Sequence, residues 1–257
     1  MSDIIVESEG PVRVLRLNRP EKKNALTVAM YAALADALAA AEADPATRAV
    51  AILGNGGTFC AGNDLKDFLA NPPRPGDENA PVLRFLKALA RATLPIVVGA
   101  QDVAVGIGFT LMLHCDAVLV TPDCRISAPF VDLALVPEAA TTQLLPGRIG
   151  YLRAAELFML GERIDGERLV ALGLANRAVA PDRLEQETLA MAARFASKAP
   201  GAIRATKRLM RGDPAAIEAV IREEIGYFLE RLASPESREV MTAFLEKRPP
   251  DFSRISG

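Results

Sequence analysis

The chain has 257 residues, half of them hydrophobic and 24% charged, which suits one large α/β domain or one domain with a helical appendage. A net charge of −2 provides no basic field to hold a nucleic-acid backbone. Three widely spaced cysteines (Cys60, Cys115, Cys124) without a CxxC pair argue against a disulfide framework or structural zinc, and a single histidine, His114, argues against a His-rich metal site.

The opening MSDIIVESEG carries acids where a signal peptide would be basic and then apolar. No run reaches the length of a membrane span, and the closing Ser253–Gly257 is not a peroxisomal address. A cytoplasmic location is the expectation, with neither nucleic acid nor membrane as partner.

Ile4–Glu7 and Val12–Leu17, around Gly10-Pro11, predict a hairpin. Thr27 is placed to cap an Ala/Leu-rich helix over Val28–Ala43, which Asp44-Pro45 ends. A short apolar strand over Arg48–Leu53 stops at Gly54–Gly57, and a loop is expected from there to Phe68. Residues 70–79 are Pro-rich and polar and read as a mobile surface loop before a helix over Ala80–Ala92. Leu94–Ala100 is continuously apolar, as a buried strand is.

Gly106-Ile107-Gly108 opens a helix over Ile107–Cys115, and short strands follow at Ala117–Val120 and Arg125–Ala128. Beyond Thr141 the pattern turns helical. Helices are expected over Thr141–Ile149, Leu152–Leu160, Gly166–Leu172, Leu184–Ser197, Ala202–Arg211, Ala215–Leu232 and Pro235–Glu246, interrupted by a strand over Ala175–Val179. A boundary near Ala199-Pro200 would divide the chain into a core, residues 1–199, and a helical tail, residues 200–257.

Three segments can carry chemistry. Thr58–Lys66 is a glycine-bearing turn after a buried strand, and such turns aim backbone N–H groups at an anion. A plain Asn-Asp loop would look the same. Ala104–Phe109 joins a strand to a helix start, where free N–H groups and the helix dipole favour negative charge. Close packing through small residues is the alternative reading there. A Walker loop and a dinucleotide fingerprint both lack their further residues. In Leu133–Ala140 one carboxylate, Glu138, follows a largely apolar run and Pro137. Burial would raise its pKa towards neutrality, as carbon acid–base chemistry needs, although a first-turn glutamate facing the helix dipole is the simpler reading.

Taken together, these segments resemble the crotonase (enoyl-CoA hydratase/isomerase) superfamily. The residues that carry the resemblance are Leu17–Leu26, Phe59–Leu65, Gly106-Ile107-Gly108 with Cys115-Asp116, Pro137-Glu138, and Gly161–Ile164 before Ala171–Leu174. The resemblance runs from about residue 4 to about residue 250. It implies an α/β fold, a crotonase-type spiral of β-β-α turns with a C-terminal helical region, assembled as a homotrimer or a dimer of trimers. The acyl-CoA site would lie in the core. The tail would serve trimerisation and cover the CoA.

By the same resemblance, the backbone amides of Asn63 and Ile107 form an oxyanion hole for an acyl thioester. CoA, part of the substrate and not a cofactor, would lie along Lys22, Lys23, Ala25, Ala61 and Gly62, with Phe244 and Lys247 of a neighbouring tail over it. No metal or redox cofactor is implied. Family hydratases carry two water-activating glutamates, and those positions hold Thr110 and Phe130 here, with Asp132 the nearby alternative acid. Glu138 is left as the acid, a placement that looks like the peroxisomal-type Δ3,Δ2-enoyl-CoA isomerases. The expected reaction shifts a 3-enoyl-CoA double bond to the 2-position. Hydration, and a non-catalytic acyl-CoA-binding role, are the alternatives. Asp64 is expected to brace its turn, Asp116 to orient its loop, and His114 to pack within a helix.

Overall fold

Strict two-residue alternation builds the main sheet. In β2 (Val12–Leu17), Val12 and Val14 face one apolar cluster while Leu15 and Leu17 face another. In β3 (Ala49–Gly54), Val50 and Ile52 point to one side and Ala49, Ala51 and Leu53 to the other. The same division recurs in β4 (Ile96–Ala100) and β6 (Ala117–Val120). Both faces are therefore covered, which is why β3, β4 and β6 read as unbroken apolar runs rather than as alternating ones. Helices α1 (Val28–Ala43) and α3 (Pro81–Arg91) contribute to the larger cluster, and α8 (Leu184–Ala196) covers the other face. Gly99 in β4 admits α8 closely: a Cβ there would lie 2.3 Å from Thr188 Oγ1.

A computed structural model describes residues 2–71, 74, 76–253 and 255 of the chain. The sheet runs β1 (Ile4–Glu9), β2, β3, β4, β6 and β8 (Arg177–Ala178), with β1–β2 antiparallel and the remaining pairs parallel. A second, shorter ladder pairs β5 (Val103–Val105) with β7 (Arg125–Ser127). Isolated bridges extend it: Leu26 to Asn63, Cys60 to Ala104, and Ile126 to Ile164. The architecture is the expected α/β spiral with a C-terminal helical region. α5 (Thr141–Ile149), α6 (Tyr151–Met159) and α7 (Gly166–Ala171) precede α8, and α9 (Pro200–Arg211), α10 (Pro214–Leu232) and α11 (Pro235–Glu246) follow it.

Thr27 caps α1 as expected, its Oγ1 accepting from the Met30 amide at 3.2 Å. Three local readings need correction. The loop expected up to Phe68 instead holds α2 (Leu65–Ala70), started by Asp64, whose Oδ1 accepts from the Asp67 amide at 3.1 Å. A strand, β5, separates β4 from the helix start at Gly106, and its three residues are too few to show a period in the sequence. The helix expected over Ile107–Cys115 is α-helical only over α4 (Ile107–Thr110) and then tightens to a 3-10 turn, Leu111–His114. Within the segment 70–79, residues 72, 73 and 75 lie outside the described ones. Among the described residues no helix is long and apolar enough to cross a membrane, and no cluster of three or more His, Cys, Asp or Glu side chains is placed to hold a metal.

Candidate active site

The parallel bridge between Cys60 and Ala104 sets two chain segments side by side, with Val105 N donating to Cys60 O at 3.0 Å. Three residues further along each segment come Asn63 and Ile107. Glycines permit the approach. A Cβ on Gly62 would lie 3.2 Å from Val105 O, and one on Gly108 would lie 2.6 Å from Cys60 O. Gly62 (φ 99°) and Gly106 (φ 53°) also adopt left-handed backbone that favours glycine.

The Asn63 amide has no acceptor among the described residues, because its bridge to Leu26 uses Gly62 O and the Asp64 amide instead. The Ile107 amide is in the first turn of α4, where no intrahelical acceptor exists. Both residues line one cavity of about 230 Å³. Leu65, Phe68, Phe130, Leu133 and Leu135 give that cavity apolar walls, and Phe228, Leu232 and Met241 from α10 and α11 complete it. The C-terminal helices thus build this chain's own site.

Tyr31 on α1 fixes the side chain of Asn63: the buried phenol donates to Oδ1 at 2.5 Å. Burial, with the nearby negative charge of Glu138, raises the Tyr31 pKa well above its ordinary value, so the hydroxyl stays a donor. Sequence reasoning missed this contact, since a tyrosine in the first turns of a buried helix carries no signal beyond packing.

Glu138 is buried, and its Oε1 accepts from Thr110 Oγ1 at 2.6 Å. Burial pushes its pKa up from 4.5 to about 7; the Thr110 hydroxyl opposes the rise, and the charge of Glu224 adds to it. Thr110 stands on the turn that Ile107 opens, so one short helix carries both a cavity amide and the partner of the acid. Glu138 does not itself line the cavity, whereas Leu135, on the same loop, does.

The loop that holds Glu138 is tightly bound. Ala139 and Ala140 have positive φ (66° and 57°), an uncommon conformation for alanine. His114 Nε2 meets Ala139 O at 2.7 Å; since a carbonyl only accepts, Nε2 carries the hydrogen. Burial lowers the His114 pKa to about 3, so this ring is a neutral structural donor. Glu224 on α10 accepts from the amides of Ala140 at 2.5 Å and Thr142 at 3.0 Å, capping α5.

The other expected residues fall as follows. Lys22 ends a 3-10 turn (Pro20–Lys22), and the segment that follows with Lys23 and Ala25 is stitched to Ala61–Gly62, Ala61 N donating to Lys23 O at 3.0 Å and Leu26 N to Gly62 O at 2.8 Å. Buried Asn24 anchors that loop by donating to Thr58 O at 2.9 Å. Asp64 pairs with Arg19 at 2.8 Å, which with the Asp67 amide holds its carboxyl below the usual range. Asp116 accepts from the Ile96 amide at 2.8 Å and pairs with buried Lys207 at 2.6 Å. Asp132 is exposed and does not line the cavity. Lys247 is exposed beyond α11. The side chain of Phe244 lies outside the described residues. Burial raises the Cys60 thiol to about 12, leaving it a core residue.

Two residues with backbone amides free of an acceptor line one cavity, and the helix that one of them opens also holds a buried glutamate through Thr110, an arrangement of the class that can stabilise an oxyanion and move a proton. Residues 7–254 match the family model described as enoyl-CoA hydratase/isomerase, and the chain belongs to that family, the crotonase superfamily. A probable enoyl-CoA hydratase of Rhizobium meliloti is 30% identical over 250 residues, covering 97% of each chain. A solved enoyl-CoA hydratase/isomerase from Pseudoalteromonas atlantica is 41% identical, with a TM-score of 0.93, over 98% of this chain and 100% of that one. A peroxisomal enoyl-CoA delta isomerase 3 of Mus musculus is 28% identical over 96% of this chain and 79% of its own length. The names of the compared relatives lean towards hydratases rather than isomerases.

Proposed function

We propose that the protein is an enoyl-CoA isomerase that moves a 3-enoyl-CoA double bond to the 2-position, as fatty-acid β-oxidation requires. The observation that carries this is Glu138: a buried carboxyl with a pKa near 7, on a loop that also lines the cavity, with Thr110 and Phe130 where family hydratases place their water-activating acids. The amides of Asn63 and Ile107 receive the thioester oxygen as negative charge develops on it. Glu138 takes the α-proton, the electron pair spreads into a dienolate, and the same proton returns at the γ-carbon. CoA runs along Lys22, Lys23, Ala25, Ala61 and Gly62, and a neighbouring chain's Phe244 and Lys247 close over it.

Hydration is the second reading, and the relatives' names favour it. Turnover of 3-hexenoyl-CoA and crotonyl-CoA, measured side by side with mass-resolved products, separates the two. The isomerase reading expects 2-hexenoyl-CoA from the first and no water added to the second. Addition of water to crotonyl-CoA, with 3-hexenoyl-CoA unchanged, would replace it with the hydratase. Thioester binding without turnover of either would point to the non-catalytic role.

The assembly is proposed to be a homotrimer or a dimer of trimers, with residues 200–257 serving its contacts. Large apolar side chains stand open on α9 and around α6: Leu209 (85%), Met210 (83%), Leu152 (80%) and Leu160 (71%). Light scattering is expected to give three or six chain masses. A stable monomer at working concentration would refute it.

A further inference from the structure

Glu138 Oε1 is held by Thr110 alone, whereas Oε2 has no hydrogen-bond partner among the described residues. Oε2 is not sealed away either: among the described residues, the fully buried side-chain atoms without partners belong to Arg13, Thr58 and Thr121. The two oxygens of one carboxylate are therefore unequal. Thr110 is itself fully buried on α4, and the Glu138 backbone is tied from the other side, where Thr141 Oγ1 donates to Glu138 O at 2.6 Å.

We propose that Thr110 is a positioning residue for the proton shuttle: its hydroxyl clamps Oε1 of Glu138 and leaves Oε2 to exchange the substrate proton. This rests on the reading of Glu138 as that shuttle. The clamp limits rotation of the carboxylate about its terminal bond, which is otherwise broad and soft. A hydroxyl that donates to the charged form also favours that form, against the burial and the negative charge that oppose it. The other groups around Glu138 do not supply this. Glu224 on α10 is a like charge, Tyr31 on α1 is committed to Asn63, and His114 donates to the Ala139 carbonyl. In each turnover the C–H bond breaks, its proton goes to Oε2, its electron pair enters the thioester enolate, and the proton then returns to the γ-carbon. Oε1 remains on Thr110 throughout.

The test compares Thr110→Val and Thr110→Ser with the parent protein. Val keeps the shape and removes the hydroxyl, and Ser restores it. Two quantities are read: the pH dependence of 3-hexenoyl-CoA turnover, and the titration of the Glu138 carboxyl by carbon NMR on glutamate-labelled protein, with Glu138→Gln assigning the signal. Thr110→Val is expected to move the carboxyl midpoint and the acid limb upward by about one pH unit, the size of a charge-assisted hydrogen bond. It is also expected to lower kcat about tenfold on the plateau above the limb. Thr110→Ser is expected to recover most of both. An unmoved midpoint in Thr110→Val, or a Ser variant as impaired as the Val variant, would overturn the clamp and make Thr110 a packing residue. Midpoints that move as expected in a protein with no isomerase turnover would uphold the clamp and remove the isomerase reading.

Discussion

Glu138→Gln is expected to lower isomerase kcat by roughly 100-fold or more while CoA-thioester binding survives, because Gln keeps the size but cannot accept a proton. The same substitution is expected to make the protein more stable at alkaline pH. The folded carboxyl titrates near 7 against an ordinary value of 4.5. Between these values the folded protein keeps a proton that the unfolded chain has released. The contribution to stability is full below the unfolded value and is lost as pH rises through the folded one. A neutral side chain escapes that loss. At about pH 8 the variant is therefore expected to gain on the order of 2 kcal/mol in denaturant unfolding, allowing for unpaired amide N–H groups in the site. At about pH 4 the gain disappears. Turnover by Glu138→Gln at the parent rate would remove Glu138 as the base. Asp132→Asn, outside the cavity, serves as the control and is expected to change turnover little.

Gly108→Ala is expected to cost roughly 100-fold in kcat, a loss comparable with removing one oxyanion donor. The added Cβ would meet Cys60 O at 2.6 Å and Cys60 Cβ at 2.9 Å. Cys60 O already accepts the Val105 amide, so it cannot yield without breaking the bridge that aligns the two segments. α4 must move instead and carries the Ile107 amide away from Asn63. The stability cost of such overpacking is about 1–3 kcal/mol, small enough for a folded variant to be assayed. Gly147→Ala on α5, where a Cβ would meet nothing within 4 Å, is the control and is expected to leave turnover intact. An active Gly108→Ala enzyme would mean that the two amides do not act as a pair.

Much of the fold was readable because it follows local rules. β2, β6, α1, α5 and α11 occupy the predicted spans, since a capping threonine, apolar runs of strand length, and prolines at helix starts act over a few residues. α2 was not readable, because its six residues are too few for a helical period and its cap, Asp64, sits in a glycine-bearing turn. The glycines at 62, 106 and 108 marked two turns able to present backbone amides, but not that the turns approach each other.

By itself the sequence indicated a hairpin, buried strands, a largely helical C-terminal third, two glycine-bearing turns able to offer backbone amides, and one acid after an apolar run. Only the tertiary structure decided which groups meet. Tyr31 reaches Asn63 across 32 residues, Thr110 reaches Glu138 across 28, and Glu224 caps α5 across 84. Periods of 3.6 and 2 report which face of an element is apolar. They carry no information about which distant hydroxyl or carboxylate the packed elements bring within hydrogen-bond reach, and in this chain those long-range contacts hold the acid, its loop and the Asn63 side chain in place.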